Sequence, residues 1–365
     1  MEEINSYYKW NTIFLWSVGL WPYCNKKFRL LHNGIISLIT WASVISQLVA
    51  IFGVEKDLFR QLRDISITAM AIAALTKYHV TWYEINYVKA QVNQIRLDWE
   101  TNNVEVLRIM QIYAFYGKRL VILFATFFYP GLSIVILYHI SPIILNVIVP
   151  LNESRPIKFP IDLEFWIEEE QYPILNISLF CLVVIVDVAV LVGTESFSIM
   201  ICLHVAGLFD VASYYYEKAV LSESVPSYRP QNSKNKEIVS YIATGVFFHR
   251  KALQSAFHVF TTVFRVINTL VSEGLFMTQT KGAKCRTLSW FYWVLLARAS
   301  ICFARNRIFK LFYLFKLSVT VFQLSDIGEA IFSVLVLLAT FGYMFWMNLA
   351  VEYIIDNASS IPIKT

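Results

Sequence analysis

Charge is what this chain has least of. Only 16% of its 365 residues are Asp, Glu, Lys or Arg, while 57% are apolar; a soluble globular domain carries about 25% charged residues. The mean hydropathy is +0.54. This deficit, with several long apolar runs, argues against a water-soluble domain and puts the chain among membrane proteins. Close cysteine pairs are also missing. Cys24, Cys181, Cys202, Cys285 and Cys302 fall singly, which argues against a zinc site or a redox motif. Cys181 and Cys202 lie within apolar runs and are expected to be buried small hydrophobes. His32, His79, His139, His204, His249 and His258 show no metal-ligand spacing with carboxylates. There is no phosphate-binding glycine loop, no nucleophile elbow and no carboxylate pair within an apolar run. No catalytic residue, metal or cofactor is therefore expected, and the chain is not read as an enzyme. The opening MEEINSYYKW lacks the pattern of a cleavable signal peptide.

What is present is a series of apolar runs, each near the roughly 20 residues that a membrane helix needs. They cover about 31–54, 65–83, 120–149, 174–208 and 327–355. The second is weaker, because Lys77 and His79 lie near its inner end. Two further apolar stretches, 255–270 and 311–324, are too short to span alone. Lys and Arg in short loops resist translocation. Lys9, Lys26, Lys27 and Arg29 precede the first run, and Lys89, Arg96, Arg108, Lys118 and Arg119 lie between the second and third. Lys218, Arg229, Lys234, Lys236, Arg250 and Lys251 follow the fourth. The loop 150–173 is instead acidic. The N-terminus is therefore expected in the cytoplasm. The sequon at Asn152 falls in the loop assigned to the outside, and is the glycosylation candidate. Asn176 and Asn357 also begin sequons, at a membrane boundary and on the inner side. The predicted fold class is an all-α polytopic transmembrane bundle with a cytoplasmic N-terminus, inverted relative to G-protein-coupled receptors.

Within the fourth run stand Asp187 and Glu195. A carboxylate at bilayer depth is either functional or held by an interhelical hydrogen bond, and no basic partner is visible at a matching depth. The third run holds Phe124, Phe127, Phe128, Tyr129 and Tyr138 with Pro130-Gly131 as an expected kink. Such a combination suits either a cavity for a small lipophilic ligand or ordinary helix packing. Residues 209–256 read as two helical extensions of the neighbouring spans into the cytoplasm, joined by a polar loop.

Several ordered motifs resemble the insect odorant receptor family. They are GLWP at 19–22, PIKFPIDLEFW at 156–166 and ICLHVAGLFDVASYYYEKAV at 201–220, then FFHRKALQSAFHVF at 247–260 and SDIGEAIFSVLVLLATFGYMFWMNLAVEYIIDNASS at 325–360. The resemblance implies a seven-helix subunit in the plasma membrane of sensory neurons. It implies assembly with the odorant receptor co-receptor into a ligand-gated cation channel, and a small volatile or lipophilic ligand in the outer half of the bundle. Carried onto this chain by depth, that ligand site comprises Met70, Ser133, Ile134, Tyr138, Phe180, Val184, Phe332 and Val336. Membrane lipid is the remaining partner; nucleic acid is not one.

Against the family pattern, the chain divides into a cytoplasmic tail at 1–30, spans one to four and the start of span five at 31–274, a foreign insertion at 275–314, and the end of span five with span six at 315–365. The insertion includes KGAKCRTLSWFYWVLLARASICFARNRIFK at 281–310. Its arginines lack the spacing of a voltage sensor, and its apolar core is too short to span. A basic interfacial helix is physically possible; a translated retained intron is the preferred reading. With no seventh helix in the sequence, the chain is expected to be truncated and not to conduct alone. A gustatory-type chemoreceptor and a membrane transporter remain the alternatives.

Overall fold

A computed structural model describes the backbone of residues 2–53, 58–149, 171–224 and 231–279. Side chains are described over 6–51, at 64, 67 and 68, and over 71–149, 171–224 and 232–257. Among these residues every element is helical: α1 (Glu2–Ser17), α2 (Lys26–Gly53), α3 (Leu58–Tyr83), α4 (Ile85–Trp99), α5 (Val104–Ile148), α6 (Pro173–Ser224) and α7 (Gln231–Gln279). The insertion beyond residue 279, the acidic loop with Asn152, and the run at 327–355 lie outside the described residues.

The long helices exceed any bilayer. At about 1.5 Å per residue, the 45 residues of α5 and the 52 of α6 reach about 67 and 78 Å, more than twice the roughly 30 Å hydrocarbon core. The start of α5 is set by Asn103, whose side chain accepts from the backbone N–H of Glu105 (3.1 Å) and Val106 (3.4 Å). These bonds satisfy two of the helix's orphan donors. Much of the stretch between the second and third apolar runs is thus helix as well. In α4 the buried residues Val88, Val92, Ile95 and Trp99 recur at helical spacing. Pro130 and Pro142 both lie inside α5, which continues to Ile148. Phe124 and Phe128 are buried against one another with ring centroids 4.7 Å apart, so these two aromatics serve core packing.

At the centre is α6. From Val192 to Phe209 all its residues but Ser198 are buried, as expected of a helix apolar on every side. It touches α1, α2, α3, α5 and α7. Within the N-terminal segment, α1 packs on this centre. Leu15, Val18 and Leu20 are fully buried, and Asn11 Nδ2 donates to the Ser196 carbonyl at 2.8 Å. Gly193 allows the approach, since a Cβ there would lie 2.9 Å from Val18 Cγ2 and 3.0 Å from the Phe14 carbonyl oxygen. The sequence concealed this packing because the apolar residues of α1 are too few to form a span. The GLWP turn follows: Gly19 has φ +72°, and a Cβ there would strike Asn33. The Asn33 amide donates to the Gly19 carbonyl (2.7 Å) and accepts from Trp82 Nε1 (3.0 Å).

Helix α2 is inside out by the standards of a soluble protein. Leu31, Ile35, Leu38, Trp41 and Ile45 are exposed, whereas Asn33, Thr40, Ser43 and Gln47 are buried. A row of exposed large apolar residues is unfavourable in water and natural against acyl chains. Small polar side chains at helix contacts are a recurrent feature of membrane bundles. Helices α2, α5 and α6 are each long and apolar enough to cross a membrane. The fold is an all-α, multi-pass membrane bundle.

Candidate functional site

The side chains of α6 meet a different neighbour at each level. Near its start Phe180 is fully buried, and its ring lies 5.1 Å from that of His139 on α5. His139 in turn lies 5.1 Å from the ring of Tyr138. Nδ1 of His139 bonds the Val135 carbonyl, but Nε2 has no partner although the residue is 1% exposed. One turn before Phe180, on the same face of α6, Asn176 is also buried, and its Nδ2 is unpartnered. His139 Nε2, beside the Phe180 ring, and Asn176 Nδ2, one turn before it on α6, are thus buried without a hydrogen-bond partner. Most buried polar groups in folded proteins are satisfied. The burial of Asn176 also removes it as a glycosylation site.

The expected ligand residues divide around this point. Tyr138 and Phe180 are linked through His139, and Val184 is half-buried one turn further along α6. Ser133 and Ile134 are exposed, and the Ser133 hydroxyl donates to the Tyr129 carbonyl (3.0 Å). Met70 lies on α3 with its side chain outside the described residues; Phe332 and Val336 lie outside them altogether. His139 and Asn176 were not anticipated as site residues. Their signal, a polar residue within an apolar run, was there to read, but burial without a partner is a tertiary fact.

Further along α6 the carboxylates acquire partners. Asp187 accepts from the Ser43 hydroxyl of α2 at 2.7 Å, and Gln47 Nε2 donates to Ser43 Oγ at 3.0 Å. This is the interhelical hydrogen bond, one of the two roles open to Asp187. For Glu195 the sequence reading is corrected. Its Oε2 lies 2.6 Å from Lys77 Nζ, with side-chain exposures of 1% and 9%. Lys77, which weakened the second apolar run, is the basic partner that was judged missing. The two charges offset one another's burial, so the run at 65–83 carries its lysine inside the protein. Cys202 is buried as expected, whereas Cys181 is half-buried.

Past the apolar level, α6 meets α4 and α7. His204 Nε2 contacts Asp98 Oδ2 at 3.0 Å, and Lys251 Nζ binds Asp98 Oδ1. Burial alone would raise the Asp98 carboxyl, but the hydrogen bonds and charges of His204 and Lys251 outweigh it and leave the group below its ordinary value. Burial also pushes the nearby Tyr8 hydroxyl well above the usual tyrosine range. Lys251 belongs to the HRKAL stretch, whose neighbours are engaged too. His249 sits edge-on to Phe209 at 5.5 Å, and Phe248 stacks on Tyr215 at 5.8 Å and 7°. Among the described residues no group of His, Cys, Asp or Glu could hold a metal ion.

The helices form an all-α, multi-pass membrane bundle. The structure of the olfactory receptor OR5 from Machilis hrabei in complex with eugenol superposes with a TM-score of 0.51 over 98% of each chain, at 11% sequence identity. At that identity the likeness establishes the fold. No family model matches the sequence, and no curated protein does either.

Proposed function

We propose that this chain is an odorant receptor subunit that binds a small, largely apolar molecule within the membrane bundle and, with the odorant receptor co-receptor, gates a cation channel. The observation that carries the reading is the fold shared end to end with an olfactory receptor solved with eugenol. The ordered motifs from GLWP to the stretch at 325–360 agree with it. The ligand lies against Phe180, Tyr138 and Val184, and among Met70, Ser133, Ile134, Phe332 and Val336. His139 Nε2 or Asn176 Nδ2 bonds its polar group. Asn152 is the glycosylation site, and the N-terminus lies in the cytoplasm. Because α6 carries both Phe180 and His204, about 36 Å apart along one helix, displacement at the ligand reaches α4 and α7 through a single rigid element.

The test is current recorded from cells that express this chain with the co-receptor during exposure to a panel of volatiles. A ligand-evoked current is expected from the two chains together. His139→Phe keeps a ring at Phe180 and removes the nitrogen. It should raise the half-maximal concentration of hydrogen-bonding ligands about tenfold, in line with a lost bond of about 1 kcal/mol or more. Hydrocarbon analogues should be unaffected. Equal losses for both classes would assign His139 to packing alone.

A further inference from the structure

We infer that the GLWP turn and α4 form a binding site for the phosphate-bearing headgroup of an anionic membrane lipid. Tyr23, just after that turn, hydrogen-bonds Asn93 through its hydroxyl. Its ring lies 4.8 Å from the Arg96 guanidinium and 5.7 Å from Lys89 Nζ. Lys89, Asn93 and Arg96 share the face of α4 beside the buried row Val88, Val92, Ile95 and Trp99. Three residues after Tyr23, α2 begins with exposed Lys26 and Lys27. Arg29 is fixed by donating to the Pro22 carbonyl at 2.9 Å.

Five cations thus converge on one turn. Among the described residues no carboxylate pairs with any of them. Unpaired like charges held together repel, and a multivalent anion relieves that repulsion. The ring of Tyr23 holds Lys89 and Arg96 in place by cation–π contact, so two of the five donors are positioned before any anion arrives.

The occupant is a lipid rather than a free phosphate because of what adjoins the cations. Phe28, Leu30 and Leu31 are exposed immediately beyond them. They lead into the outward row of Ile35, Leu38 and Trp41 on a helix apolar enough to span the membrane. A headgroup at the cations would lay its acyl chains along this row. Clusters of four to eight basic residues at the end of a span bind anionic headgroups on this principle. This inference stands apart from the proposed odorant site, which shares none of these residues and centres on Tyr138, His139 and Phe180 of α5 and α6.

The full-length chain, purified in neutral detergent, is titrated with fluorescent dioctanoyl phosphatidylinositol bisphosphate. Saturable binding is expected, displaced by the unlabelled lipid and not by dioctanoyl phosphatidylcholine. Inositol trisphosphate, which lacks the chains, should compete about tenfold less well. The double variant K89Q/R96Q should weaken binding by about tenfold or more, as should K26Q/K27Q, since each cation near an anionic headgroup adds about 1 kcal/mol. K236Q, which removes an exposed lysine of α7, should bind as the parent does. Elution as a single species shows that each variant is folded; the two double variants address the site from different helices. Absence of saturable binding, an equal loss in K236Q, or equal competition by inositol trisphosphate would overturn the inference.

Discussion

A single side chain decides much at bilayer depth, because an unpaired charge there has no water to turn to. Glu195 and Lys77 illustrate this at 2.6 Å. A buried pair adds little net stability over an apolar replacement, but breaking it strands one charge and costs about 3–5 kcal/mol. Glu195→Gln is therefore expected to lower the yield and thermal stability of detergent-solubilised protein by that order. The combined K77M/E195L should recover most of the loss. Fluorescence-detected thermal unfolding of both variants checks this; a double variant no better than E195Q would mean that the pair does not act as a unit. Neither residue's role was legible in sequence. Lys77 read as a flaw in a span and Glu195 as an unpartnered acid, because pairing between residues 118 positions apart depends on how α3 lies against α6. Asp187 was closer to legible: a lone carboxylate in lipid must find a donor, and Ser43 supplies it.

Between elements, the Asp98 carboxylate joins α4 to α6 and α7. Its folded-state value lies below the ordinary 3.8. A depressed carboxylate contributes stability above its unfolded value and loses it as pH falls through the folded one. The destabilisation caused by Asp98→Asn should thus be full at pH 7 and shrink below about pH 4. Hydrogen bonds to charged groups are worth about 1.5–3 kcal/mol, which sets the scale of the deficit at pH 7. Unfolding midpoints of parent and variant across that range measure it. A deficit that persists unchanged into strong acid would remove Asp98 as the titrating group. The amphipathic row of α4 was readable in principle from Val88, Val92, Ile95 and Trp99. Lys89 and Arg96 masked it, because in a greasy chain a segment with basic residues reads as a loop. Helix α1 was hidden for a related reason. Its buried side is completed by Gly193 and Ser196 of α6, which no local pattern reveals.

For the whole molecule, orientation follows from where lysines and arginines resist crossing the bilayer. A small epitope at the N-terminus is expected to be reached by antibody in permeabilised cells only, and one placed in the 150–170 loop in intact cells. The reverse staining would invert the proposed topology, and with it the assignment of the ligand site to the outer half. Enzymatic removal of glycan should shift the mobility of the parent chain and not of Asn152→Gln.

By itself the sequence determined that this protein lies in lipid and is helical. Hydrophobic runs of spanning length with few charges leave the backbone no other way to satisfy its hydrogen bonds. Its ordered motifs also resemble those of the insect odorant receptors. Tertiary structure alone decided which polar groups are paired and which are left open. Ser43 donates to Asp187 and Lys77 forms an ion pair with Glu195, while His139 Nε2 and Asn176 Nδ2 are buried without a hydrogen-bond partner. The reason is that a hydrogen bond or ion pair across helices is fixed by packing geometry at ångström scale, whereas the hydrophobic pattern that sends a helix into the membrane fixes only its length and the face it turns to lipid.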